Sequence, residues 1–454
     1  MHVRFRGDLP VVITLALSIA GCNGAVRPSA SAGPAGDAAS SPPAPTSPSS
    51  PAPSAAPQPT LPVRPSHDSS VWLDGGALRE PRNATSVVTL RTGEVLVVGS
   101  DYLTTWQSAC GASTDGSDSV EIGNPLTGAW KTATSLPNLR DAPAVVALVD
   151  GRALMTGGAA GESIGWSAYS STYIFDPAKR RWSRSGLLNT ARTFTAAAVL
   201  LDGRVLVAGG TFMDRMSSEP PRTVDTSELW DPRSGDWSRT GRLAAPRSDS
   251  SAVTLADGRV LLVGGMATLG GTAIPQVEIY DPASGRWSSG GTLATARSGF
   301  VLAALRDGGA IVAGGFAAGP DIGMAYLSRT ERFDPSSNSW SAGDDLPHAV
   351  AGAAGVRLAD GRVLLAGGSV GPPVEVGSSG EYLTGLTDKA VVFDPASGRW
   401  TPTTQMPSPR AGASAVLLPD GSVAVVGGSI SEGEIWATPG CPEAHPNAVR
   451  YVPG

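Results

Sequence analysis

Residues 192–237 read RTFTAAAVLLDGRVLVAGGTFMDRMSSEPPRTVDTSELWDPRSGDW. Thr195 to Leu201 is apolar and rich in small residues. Asp202-Gly203 then supplies a tight hairpin turn, because Asp and Gly tolerate the positive φ that such turns need. Val205, Leu206 and Val207 form an unbroken apolar run, the mark of a short strand buried on both faces. The run ends at Gly209-Gly210, where glycine permits unusual dihedrals or close backbone approach. A loop leads to Glu228-Leu229-Trp230. Asp231-Pro232-Arg233-Ser234-Gly235-Asp236 is a turn, with Pro presetting φ and Gly taking a left-handed position. Trp237 opens a fourth strand. Four short antiparallel strands of this kind make one unit of a repeating all-β fold.

The frame recurs seven times from Trp72 onward. The Trp slot holds Trp72, Trp130, Trp182, Trp237, Trp287, Trp340 and Trp400. Ten residues later stands Arg82, Arg140, Arg192, Arg247, Arg297, Val350 or Arg410. Ten more bring Thr92, Asp150, Asp202, Asp257, Asp307, Asp360 or Asp420, and seven more the diglycine, which is Gly99-Ser100 in the first copy. A unit that cannot fold alone and repeats at this length signals a stacked or ring-shaped array.

The diglycines, the later aromatics (Tyr280, Phe333, Phe393) and the spaced Trp residues resemble the kelch-repeat family of β-propellers. The resemblance covers residues 69–454 and implies an all-β, seven-bladed propeller. After Trp400 the last copy runs only to Val452-Pro453. It lacks a fourth strand, and Val71-Trp72 has the spacing of the missing one. The N-terminal strand is therefore expected to complete the C-terminal blade and remove open edges.

Residues 1–21 read as a signal peptide, with Arg4 and Arg6 before a short apolar run from Leu9 to Ala20. The run ends in Leu17-Ser18-Ile19-Ala20-Gly21-Cys22, which resembles a bacterial lipobox with Cys22 as the acylated residue. An ordinary signal peptide with a chance cysteine is the alternative. Residues 22–68 are Ala, Ser and Pro with almost no large apolar side chain, a disordered tether. These features predict a lipid-anchored protein of the cell envelope, outside the cytoplasm, with Asn23 favouring the outer membrane if the cell has one. The formal charge of −6 gives no nucleic-acid footprint. The reading is of a monomer.

Only the segment between the second and third strands varies. From the second glycine slot to the Asp-Pro slot the spacings are 24, 18, 21, 16, 19, 26 and 24 residues. The longest belong to copies six, seven and one, which a closed ring makes neighbours. Off-register aromatics fall in these segments, among them Tyr102, Trp106, Trp166, Tyr169, Phe212, Phe316, Tyr326, Tyr382 and Trp436. They are ligand-binding candidates, with Asp101, Asp115, Asp118, Glu381, Glu432 and Glu434 nearby. Equally, each aromatic pins its own loop as a satellite cluster. Cys110 and Cys441 lie in the segments of copies one and seven and are a disulfide candidate in an oxidising compartment. A metal site using Cys441 and His445 is the alternative. The six arginines either face an anion as a ring or satisfy backbone carbonyls and pair with Glu121, Glu228, Glu278 and Glu331.

Two function classes remain. One is a binding or scaffold protein that takes a glycan or envelope protein on its long loops. The other is a carbohydrate-active or oxidative enzyme on the same face. The galactose-oxidase-like group of kelch propellers implies a copper site of two His, two Tyr and a Cys. His67, His348 and His445 do not match that pattern, so no copper ligand, other metal site or cofactor is carried over. Ser234-Gly235-Asp236-Trp237 only half resembles a sialidase box, and no Ser-His-Asp set is evident. A hydrolase with two loop carboxylates stays open.

Overall fold

The computed structural model describes residues 69–80, 82, 86–99, 118–162, 165–217, 219–319, 323–376, 381–429 and 446–454. The described residues form strands and turns with no helix, so none is long and apolar enough to cross a membrane. The type unit folds as read. Ala196–Val199, Val205–Ala208, Ser227–Trp230 and Trp237–Arg239 make one antiparallel sheet in chain order. Six such sheets follow one another along the chain, the first beginning at Ser86–Thr89 and the sixth at Ala354–Arg357.

A further sheet is assembled from both ends of the described chain. Ser414–Leu417, Val423–Val426 and Asn447–Val452 supply three strands, and Val71–Ala77 lies beside Asn447–Val452. Trp72 pairs with Tyr451, and Val71 with Val452. The Trp72 and Tyr451 rings sit 5.1 Å apart at 52°. Phe175–Trp182, Tyr280–Trp287, Phe333–Trp340 and Phe393–Trp400 repeat that stack at 5.1–5.3 Å. The joint between distant segments thus copies the joint inside an ordinary sheet.

The second strand of each of these seven sheets is wholly buried, as its apolar run requires. The core lies between sheets rather than within them. One cluster joins Leu96 and Val98 of the first sheet to Met155 and Phe175 of the second. Another joins Leu78, Val97 and Trp130 to Leu418, Ala424 and Val426 of the seventh. Frame tryptophans stitch interfaces of this kind: Trp237 Nε1 of the third sheet donates to Thr172 Oγ1 of the second at 2.8 Å, and Trp130 Nε1 to the Gly75 carbonyl at 2.8 Å. First strands from all seven sheets line a central cavity of ≈ 420 Å³, with Ser86, Thr195, Ser250, Ser251 and Ser414 among its hydroxyls.

Candidate functional site: the diglycine face

Each sheet has two ends. At one, turns of uniform length join the first and second strands, Asp-Gly in six sheets and Thr92-Gly93 in the first. The turn carboxylate caps its own loop: Asp202 Oδ1 accepts from Arg204 N at 3.0 Å, as Asp257 does from Arg259 N. At the other end the diglycine turns the chain outward, and here the sheets differ. Hairpins grow from it at Ala159–Glu162 with Gly165–Ala168, and at Thr211–Phe212 with Arg222–Thr223. Others form from Phe316–Gly319 with Gly323–Tyr326, and from Ser369–Val376 with Glu381–Leu386.

The diglycine has a job that only glycine does. Gly209 and Gly210 sit at φ 65° and 103°. A Cβ on Gly209 would lie 2.4 Å from the Arg247 carbonyl oxygen. The Gly210 amide donates to that oxygen at 2.8 Å. The same bond runs from Gly158 to Arg192, Gly265 to Arg297, Gly315 to Val350, Gly368 to Arg410 and Gly428 to Arg82. It uses a backbone carbonyl, so Val350 serves where the other sheets have arginine.

Two residues past six of the seven arginine slots the backbone is left-handed: Ala142, Phe194, Asp249, Gly299, Gly352 and Gly412 all lie between φ 46° and 66°. They link around the cavity mouth, with Asp249 N donating to Phe194 O, Gly352 N to Gly299 O and Gly412 N to Gly352 O. Three of the six are not glycine, which costs about 1–2 kcal/mol each. Nothing in the linear pattern announced these links.

The arginines are structural. All six are buried to 1% exposure or less. Arg192 is representative: Nη1 reaches the Gly209 and Thr226 carbonyls at 2.8 Å each, and Nη2 reaches Glu228 Oε1 at 2.8 Å. Glu228 also accepts the Asn189 and Thr190 amides. Arg82–Glu121, Arg247–Glu278 and Arg297–Glu331 repeat the pair at 3.3, 2.9 and 2.7 Å. Burial pushes Arg192, Arg247 and Arg297 below the ordinary guanidinium value, and the carboxylates work against that. Arg410 has burial alone and falls to about 10.

The singled-out residues divide four ways. Trp72, Trp237, Trp287, Gly209 and Gly210 belong to the frame. Tyr169, Phe212, Phe316 and Tyr326 serve their own loops: Arg140 stacks over Tyr169 at 4.5 Å, Arg222 over Phe212 at 5.0 Å. Phe316 and Tyr326 join Met266 and Ala351 in a satellite cluster. Trp166 is half-buried on its hairpin opposite Gly161, and Tyr382 sits on a hairpin strand opposite Glu375. Tyr102, Trp106, Cys110, Trp436, Cys441 and Cys22 lie outside the described residues.

Residues 246–294 match the Kelch motif. Kelch repeat-containing protein kel-10 of Caenorhabditis elegans is 26% identical over 159 residues, which is 34% of this chain and 26% of that protein. Kelch-like protein 35 of Mus musculus is 36% identical over 117 residues, 26% of this chain and 18% of that protein. Kelch-like protein terF of Aspergillus terreus is 28% identical over 130 residues, 28% of each chain. The kelch match thus spans about a quarter of the length of these relatives. Among solved structures, a fungal alcohol oxidase of the AA5 family in complex with copper superposes with a TM-score of 0.61 at 19% identity. That match covers 84% of this chain and 76% of the oxidase. YjhT superposes at 0.53 and 13% identity over 72% of this chain and 99% of its own. These likenesses are of fold and indicate a kelch-type β-propeller. Among the described residues no three His, Cys, Asp or Glu side chains gather as metal ligands would. His348, the one histidine among them, is only half-buried, beside Lys389.

Proposed function

We propose that the chain is a closed seven-bladed kelch propeller, anchored outside the cytoplasm by a lipid on Cys22. Its diglycine face binds a polysaccharide or an envelope protein. The observation that carries this is the asymmetry of the disc. The Asp-Gly end is uniform, while the diglycine end bears hairpins of differing length. A rigid scaffold with variation confined to one face is the usual design of a recognition surface. The longest insertions come from the sixth, seventh and first sheets. The apolar cluster between the seventh and first sheets supports their lying side by side.

The test is a glycan array and an envelope-protein capture with the full chain, repeated with Trp106→Ala and Trp436→Ala. Binding lost in either variant, with unfolding unchanged, is the expected result. Binding that both variants keep, or its absence from both assays, would refute the reading. Labelling with radioactive palmitate, lost in Cys22→Ser, checks the anchor.

A further inference from the structure

The chain enters the fold at the Asp-Gly end. Val71 pairs with Val452, and a Cβ on Gly454 would stand 2.8 Å from the Ser69 and Ser70 amide nitrogens. Arg362, in the Asp-Gly turn of the sixth sheet, donates from Nη2 to Gly454 O at 3.2 Å. Arg204 and Arg259 make the corresponding reach to Pro282 O and Pro335 O, in the Asp-Pro turn of a following sheet, at 3.4 Å each. Ser69 and Ser70 therefore stand where other sheets have the Asp-Pro turn. Residues 1–68 join the fold at this end, opposite the diglycine hairpins.

The same end carries an exposed apolar patch. In the seventh, first, second and third sheets the residue just before the turn is Pro419, Arg91, Val149 or Leu201. Each lies against the glycine of a neighbouring turn: Pro419 on Gly93, Arg91 on Gly151, Val149 on Gly203 and Leu201 on Gly258. They form one arc along the inner rim. Val149 and Leu201 are 72% and 71% exposed on adjacent turn tips, and Pro419 and Arg91 are exposed beside them. Carboxylates along the arc are already held by arginines. Glu94 pairs with Arg180 at 2.9 Å, Asp150 with Arg152 at 2.6 Å, Asp202 with Arg204 at 2.8 Å and Asp420 with Arg450 at 3.1 Å. Farther out, the exposed Arg181 and Arg233 accompany Asp231 and Asp236 on the Asp-Pro turns. Apolar tips beside an exposed cation suit a lipid surface: the tips enter the headgroup boundary, and the arginine meets anionic headgroups.

We propose that the Asp-Gly end rests on an anionic lipid surface through Val149, Leu201 and Arg91, which turns the diglycine face away from the membrane. This deepens the anchored-binder reading above and rests on it. A tether joined to the same end keeps the patch at high local concentration near lipid, so a weak contact is enough. The test is amide hydrogen exchange of the full chain, alone and with vesicles of phosphatidylcholine, with or without phosphatidylglycerol. Peptides spanning residues 90–94, 148–152 and 200–204 should slow severalfold with phosphatidylglycerol vesicles, while those spanning 159–168 and 211–223 stay unchanged. Val149→Ser combined with Leu201→Ser removes the slowing, and Arg91→Gln weakens it. All three positions are exposed, so the variants keep their fold. No slowing, equal slowing at both ends, or slowing of the diglycine hairpins overturns the proposal. So does slowing that appears without vesicles as protein concentration rises, since a second copy would then cover the patch. Slowing of the Asp-Gly turns that persists in Cys22→Ser, with palmitate labelling absent from the natural chain, would remove the lipid anchor and leave the lipid contact.

Discussion

At the scale of single residues, the buried ion pairs make sharp expectations. Glu228 holds Arg192 and two backbone amides where no water reaches. Removing one partner of such a pair costs about 3–5 kcal/mol, so Glu228→Ala should lose that much in urea unfolding. Replacing both partners is a different matter, and the chain has already done so at Val350 and Val391. Arg297→Val combined with Glu331→Val should therefore cost less than either single change, and a double-mutant cycle measures the difference. His348 gives a pH dependence. Burial, then Lys389, lowers its pKa in the folded chain, whereas the unfolded residue titrates near 6.5. The unfolded state binds the proton first, so stability falls as pH drops from 7 through that value. His348→Gln should flatten this limb of the pH–stability profile. The arginine and glutamate slots were legible in the sequence because their spacing to Asp-Gly and Asp-Pro never slips. The backbone carbonyls that each guanidinium reaches, such as Gly427 O and Asn447 O on Arg410, were not, since they depend on how the strands are set in space.

At the scale of the element, the diglycine and the Asp-Pro turn both use left-handed glycine, yet they differ in what surrounds them. Gly398, at φ 71°, has nothing within 4 Å of where a Cβ would stand, whereas Gly209 meets the neighbouring sheet's carbonyl. Gly398→Ala should thus cost only the conformational penalty of about 1–2 kcal/mol. Gly209→Ala should cost clearly more, because it also breaks the Gly210–Arg247 backbone bond; calorimetry of the two variants separates the contributions. Strand order was readable from the alternation of turn residues and apolar runs. The hairpins beyond the diglycine were not. Their strands are as short as Thr211–Phe212 and carry no period-two pattern long enough to detect. The left-handed residues at the cavity mouth were equally hidden, since Ala142 and Phe194 are not residue types that declare a positive φ.

At the scale of the whole molecule, the sheet built from Val71–Ala77 and Asn447–Val452 decides cooperativity. Deleting residues 69–80 removes the stack on Tyr451 and bares the backbone edge of Asn447–Val452. The shortened chain should lose its single sharp unfolding transition and self-associate through that edge, which calorimetry and light scattering would detect. A single transition at the original midpoint would contradict the pairing. This joint could be anticipated because the last copy of the frame stops one strand short while an orphan Trp stands before the first copy. The pairing also governs time. Among the described residues, Val71–Ala77 is the first strand in the chain, and its partner Asn447–Val452 comes only after six intervening sheets. That pairing is a long-range contact, of the kind that forms slowly in folding. Until Asn447–Val452 is available Val71–Ala77 has no partner strand, and anything that holds that segment back delays completion of the seventh sheet.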